Sequence, residues 1–501
     1  MSRFRLLPVT AAAALSAVSL LAQGPFVYTN NATMTGGVNN NTVSGFSITA
    51  AGVPVPIPGS PWPTGGTPSF HGGGFAANHI IVAKTFLFAS NASSTSVAAY
   101  SINPAAGVLT AVPGSPFILP NTITPGDMSL GATPDGKFLF AAYAAGNLGV
   151  SSITAFSIAA NGVLTPVPGS PFAVPGRPLS IKVAPVDGRF LAVADPVNGI
   201  AMFSITGTGG LIPVGGSPFA APAATLPAGP DCNCGQTRLF TGVGSSTNSQ
   251  VDVFNIAPSG ALTSLAGSPF AGGGVNSNVA VLSPDDTHLF VSNQASSSID
   301  VFNVAANGAL SLVAGSPFAT GTQTPTGLAT DVTGGWLFGA NLQNLLTIFR
   351  VGASGALTAV PGSPFSTGAT GGLLTSLAVF PPKNCCPAPT ISRVSATPNV
   401  LKQRDKKFVE VNIGYDVTEP CPNSCVLTVT SNQPVRRSDD DEKSSPDWVV
   451  IDSHHVLLRA DREGDNRAGH VYTVTITCTN TTDGLSSTKT VTVSAPHDNR
   501  D

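Results

Sequence analysis

Side chains able to do acid–base chemistry are scarce in the first 384 residues of this 501-residue chain. That stretch holds no glutamate, the first being Glu410, and it carries ten aspartates against ten lysines and arginines. Hydrolysis of a carbonyl compound needs one group to take a proton from water and one donor to hold the developing oxyanion. His71, His79, Asp127, Asp195 and Asp231 could supply the first, and Arg177 the second. No glycine-rich phosphate loop, Gly-x-Ser-x-Gly elbow or His-Glu-x-x-His pair accompanies them. Plainer roles compete: Asn30, Asn91, Asp195, Asn293 and Asn341 occupy equivalent strand ends, where Asn and Asp cap turns. Asp127 and Arg177 likewise fit a simple ion pair.

What must position these residues is a repeat. A pentapeptide recurs seven times, as in Pro113-Gly114-Ser115-Pro116-Phe117 and Ala266-Gly267-Ser268-Pro269-Phe270, at spacings of 47 to 55 residues. Each copy ends a short β run: glycine lets the chain turn, and proline has no N–H for a ladder. The closing aromatic is expected to be a wedge buried between neighbouring units, worth about 2–3 kcal/mol each if fully buried. Within a repeat, one strand leads through a turn such as Pro134-Asp135-Gly136 to a strongly apolar second strand (Phe138-Leu139-Phe140). An alternating third strand (Val251 to Ile256) and a glycine turn lead to the fourth. Four strands repeating about every fifty residues predict a seven-bladed β-propeller over residues 24–382.

The ends predict how the ring closes. The first repeat opens directly on a second strand, Phe26-Val27-Tyr28, while Leu374–Phe380 after the seventh pentapeptide is an extra innermost strand. Donating that strand to the first blade, a one-plus-three closure, leaves no open edge. The loops at the channel mouth then form the default binding site. The long connections from Pro63 to about His79, and from Ala220 to about Thr237, place His71, His79 and Asp231 there.

The strand endings Val27-Tyr28-Thr29-Asn30, Phe88-Ala89-Ser90-Asn91 and Phe290-Val291-Ser292-Asn293 carry a resemblance. With the Pro-Asp-Gly turns and the Gly-x-Leu-x-x-x-x-Gly-Ser-Pro-Phe segments, they resemble the seven-bladed lactonase-type propellers, which include phosphogluconolactonases. The resemblance covers residues 24–382 and implies the fold. The matching residues are repeat framework and not a catalytic set.

Residues 1–22, with Arg3 and Arg5 ahead of a short apolar run, read as a signal peptide. No other stretch is apolar and long enough to span a bilayer, so the mature chain is expected to be secreted or otherwise extracytoplasmic, in the periplasm or at the cell surface. A net charge of −3 gives no argument for nucleic acid as a partner. Seven cysteines suit an oxidising compartment, and their odd number leaves at least one outside an intramolecular bridge. Cys232/Cys234 and Cys385/Cys386 are too close together for ordinary metal spacing.

Composition changes after Pro382, since 29 of the chain's 49 charged residues lie from Cys385 onward. Alternating runs around Val411, Val426 and Val474 predict a small β-sandwich over residues 387–501, similar to immunoglobulin-like modules of secreted bacterial proteins. Cys425 and Cys478 share the apolar phase of their strands and are the expected disulfide. Asp439, Asp440 and Asp441 could offer oxygens to Ca²⁺, although they lack the spacing of a dedicated loop and an acidic turn in solvent fits as well. No other metal and no cofactor is expected.

Three readings share this architecture. The thin acid–base inventory favours a propeller that binds a small molecule, glycan or protein at its mouth. The resemblance favours a lactonase that hydrolyses a sugar-derived lactone there. Adhesion through the C-terminal module is the third.

Overall fold

The computed structural model describes residues 25–496 apart from 34–40, 69–78, 121–125, 145–150, 223–225, 245–246, 369–371, 386–387, 403–406, 419–420, 422, 434–446, 461–468 and 481–485. Two expectations therefore fall outside the described residues: His71, and the acidic run Asp439, Asp440 and Asp441. The signal-peptide segment lies outside them too.

Seven four-stranded antiparallel meanders form the blades. In blade 3, for example, the inner strand Asp127–Ala132 pairs with Phe138–Ala144, which pairs with Ser152–Ile158 and then Leu164–Pro166. Blade 1 is closed as expected: Gly372–Phe380 is its inner strand, with Phe380 opposite Phe26 and Ser376 opposite Asn30. Closure satisfies the backbone of both chain ends and leaves no open ring edge.

The pentapeptide folds back onto its own blade. Its aromatic opens a two-residue strand against the start of the third strand, as in Phe117 opposite Val97 and Phe270 opposite Val251. Its glycine sits at φ between +85° and +92°, open to glycine at little cost. In all seven copies the serine Oγ accepts the N–H of a third-strand residue, Ala99 N to Ser115 Oγ at 2.9 Å being typical. The hydroxyl replaces a ladder acceptor where the fourth strand has ended. One expectation needs correcting. All seven aromatics are only half-buried, packed against apolar clusters such as those that blades 2 and 3 or blades 3 and 4 share, so each contributes less than a fully buried ring would. The fully buried rings are those of the second strands, such as Phe88, Phe140, Phe240, Phe290 and Phe338.

Beyond the propeller, Thr390–Thr397, Phe408–Thr418, His455–Arg459 and Trp448–Val450 form one sheet, and Asn423–Ser431, His470–Asn480 and Ser486–Ala495 another. Val411, Ile413, Val456, Leu458, Tyr472, Val474 and Ile476 make the core between them. Cys425 and Cys478 are bridged as expected, at directly paired positions of neighbouring strands in one sheet. A second disulfide, Cys234–Cys385, ties the chain leaving the propeller to blade 5. Among the described residues no helix is long and apolar enough to cross a membrane.

Candidate functional site

In each blade the inner strand runs from one face of the disc to the other. We call the face where inner strands begin, and where second strands turn into third, the upper face. His79 immediately precedes the inner strand of blade 2 (Ile80–Ala83), and Asp127 opens that of blade 3. Neighbouring blades thus bring the two together at the upper end of the channel wall. His79 Nε2 stands 3.8 Å from Asp127 Oδ1, and its Nδ1 is 3.3 Å from Ser90 Oγ on the adjacent strand. Its backbone is fixed as well, because the His79 carbonyl accepts the Ser90 N–H at 2.8 Å. Both members are buried, at 4% and 6% exposure, where a charge interaction is worth more than in water. Tyr143, across the ladder from Met128, completes the group. Burial, reinforced by the charge of Asp127, raises the Tyr143 phenol above its usual range, so it stays a neutral donor.

Blade 3 again and four other blades present small polar groups at or next to the same level. Ser376 faces Asn30, Ser129 faces Ala142 and Ser180 faces Ala194, while Asn278 and Thr326 lie in ladder irregularities of blades 6 and 7. All five are buried. Ser180 Oγ and Asn30 Oδ1 have no hydrogen-bond partner among the described residues, and such atoms call for water or a ligand.

The other sequence candidates separate from this pair. Asp195 caps its turn: Oδ2 accepts the Arg177 N–H at 3.0 Å and the Asn198 side-chain amide at 2.9 Å, and Oδ1 the Val197 N–H at 2.8 Å. Asn341 behaves likewise, accepting from Gln343 N at 2.8 Å. Arg177 is exposed, and among the described residues no carboxylate pairs with its guanidinium. Its expected ion pair with Asp127 is replaced by the His79–Asp127 contact.

Asp231 is placed differently from the sequence expectation. It belongs to the inner strand Leu226–Cys232 of blade 5, next to the lower end. Across a bulge it lies two ladder positions beyond Ala228, so about 7 Å below the level of His79. There it meets Lys182 Nζ at 2.6 Å and accepts the N–H groups of Cys232 and Leu282 at 2.9 and 2.8 Å. Burial opposes its charge, but Lys182 and then Lys383 outweigh that and hold the carboxyl below its ordinary range. Lys182, opposed by the same burial, is held above its own range by Asp231. These groups edge a cavity of about 180 Å³ in the lower channel, where Pro382 and Lys383 of the departing chain also lie. Lys383 pairs with Asp286 at 3.4 Å. Among the described residues Cys232 is the free, buried thiol; burial and then Asp231 push it up to about 12, which makes it inert.

No group of three or more His, Cys, Asp or Glu suited to a metal occurs among the described residues. Asp447 is engaged by Arg459 at 3.3 Å, and Asp452 accepts the N–H groups of His454 and His455.

Residues 236–370 match the family model described as lactonase, seven-bladed β-propeller. That stretch of the propeller is similar to the seven-bladed lactonases. A Lactobacillus plantarum protein is similar over 72% of this chain and 99% of its own, at 17% identity and TM-score 0.55. A putative 6-phosphogluconolactonase from Bacteroides fragilis matches over 72% and 99%, at 19% and 0.53. The periplasmic gluconolactonase of Pseudomonas aeruginosa matches over 68% and 97%, at 20% and 0.50. At these identities the likeness is one of fold. No curated protein matches the chain.

Sequence reasoning reached His79 and Asp127 but missed Ser90, Tyr143 and the polar groups at their level. The signal was present in register: each falls at or beside the start of an inner strand, and superposing the repeats would have aligned them.

Proposed function

We propose that the protein is an extracytoplasmic hydrolase of cyclic esters, acting at the upper mouth of the propeller. The observation that carries this reading is the buried His79–Asp127 pair from adjacent blades. At 3.8 Å it is longer than a direct hydrogen bond, and this reading requires a water held between Nε2 and the carboxylate as the nucleophile. His79 takes a proton from that water as its oxygen bonds to the lactone carbonyl carbon. Asp127 stabilises the imidazolium, and the oxyanion would draw on a neutral donor at the same level, for which Ser180 Oγ, without a partner among the described residues, is the candidate. Collapse breaks the bond to the ring oxygen, which leaves with the proton from His79, giving one hydroxy acid per water consumed. The disulfides and the similarity to a periplasmic gluconolactonase support an oxidising compartment.

The test is hydrolysis of a panel of lactones, followed by pH-stat titration, for the wild type, His79→Gln and Asp127→Asn. General-base loss is expected to cost about 10²–10⁴ in kcat. Activity undiminished in His79→Gln would end this reading. Ligand binding without turnover is the second reading, favoured by the exposure of Arg177, which leaves the oxyanion only neutral donors.

A further inference from the structure

Charge is divided unevenly between the two faces of the propeller. Residues 24–382 contain seven lysines and arginines. Lys84, Lys137 and Arg189 lie in turns between first and second strands, and Arg238 directly follows one, all on the lower face. Lys182 points to Asp231 near the lower end of the channel. Arg350, near the lower end of its strand Leu345–Val351, donates to the Ala50 carbonyl. Only Arg177 belongs to the upper face. Against it stand Asp127 and Asp195 at strand ends, and Asp252 and Asp300 near the upper ends of the third strands of blades 5 and 6.

The upper mouth is therefore a field of negative sign around a level of neutral donors and acceptors. Ser129, Ser180, Ser376, Thr326, Asn278 and Asn30 present hydroxyls and amides, which are suited to the hydroxyl groups of a sugar-like ring. A phosphate or second carboxylate on the substrate would meet Asp127 with no lysine near it, and like charges in a low-dielectric site repel. We infer that the site takes a neutral, polyhydroxylated lactone and discriminates against the same lactone carrying a phosphate. The inference rests on the hydrolytic reading above and names its substrate class.

The experiment compares kcat/KM for gluconolactone and its phosphate ester at low and high sodium chloride. The neutral lactone is expected to lead by about tenfold or more at low salt, and the gap to shrink as salt screens the mouth. Equal or better turnover of the phosphate ester would overturn the inference. A preference for the ester that disappears in Arg177→Ala would do so most directly, since it would make Arg177 a phosphate anchor. Thermal shift with the corresponding non-hydrolysable lactams, with and without phosphate, separates this inference from the hydrolytic reading. Stabilisation by the neutral lactam alone, without turnover of either lactone, would retain the charge selection and remove the hydrolysis. Stabilisation by the phosphorylated lactam, or by neither, would overturn the selection itself.

Discussion

Replacing Lys182 by methionine tests whether the lower pair is structural and separate from the upper site. The ion pair is 2.6 Å long, so its Coulomb attraction is about 6 kcal/mol at an effective dielectric of 20 and about 1.6 kcal/mol at that of water. Asp231 is 4% exposed as a side chain, but Lys182 is 31% exposed and opens into the channel cavity, which places the pair between those limits. Desolvation offsets much of the attraction. Lys182→Met strands a carboxylate supported only by two backbone N–H groups and the more distant Lys383. That should cost about 3 kcal/mol, at the low end for a broken buried pair. Asp231→Asn leaves an ammonium that can turn to channel water and should cost about 1–2 kcal/mol, while the double variant should cost less than Lys182→Met alone. Guanidinium unfolding of all four proteins at pH 7 gives the coupling energy. Asp231 is held below the ordinary carboxylate pKa, so this stabilisation is complete above about pH 4 and is lost as pH falls through the lower folded value. Lys182 is raised, so on the alkaline side the contribution is complete below its ordinary value and is lost as pH rises through the higher folded value. The gap between wild type and Lys182→Met should close in acid. Additive costs, or loss of lactone turnover in an Asp231→Asn protein that melts normally, would refute this assignment.

Two other perturbations follow from the frame. Cys234→Ser with Cys385→Ser opens a loop of 151 residues, for which chain entropy alone gives about 5 kcal/mol as an upper figure; unfolding of the propeller should shift to lower denaturant by an amount equal to about 2–5 kcal/mol, and faster proteolysis after Phe380 would accompany it. Ser115→Ala leaves the Ala99 N–H without its acceptor at 2.9 Å, and should cost about 1 kcal/mol by chemical unfolding, repeated at Ser268, where Val253 loses the same bond.

The parts of this protein that were legible in one sequence are those that repetition specifies. Strand order, blade number and closure follow from a pattern stated seven times, and each copy must solve the same local problem of ending a fourth strand. The functions within that pattern were only half legible. The serine of the pentapeptide looked like turn chemistry, yet its hydroxyl completes the third-strand ladder; the aromatic looked like a fully buried wedge, yet stays half-exposed. A one-dimensional pattern marks which positions are constrained and leaves open which neighbour does the constraining. The site shows the same limit more sharply. His79 and Asp127 are 48 residues apart, one repeat less a few positions, so they occupy comparable places on adjacent inner strands and must meet. Asp231 deceived because it lies in an atypical repeat, where the connection before blade 5 seemed to run to Thr237, although the inner strand already begins at Leu226. One misassigned strand moved a carboxylate from the lower face to the upper. In a propeller, the face on which a residue acts is set by its phase along a strand, so the acid–base inventory of a mouth can be counted only after every inner strand has been placed. Counted that way, the described residues of the upper face hold a single arginine, at the rim, and the acid–base pair brought together there is His79 with Asp127, among neutral donors.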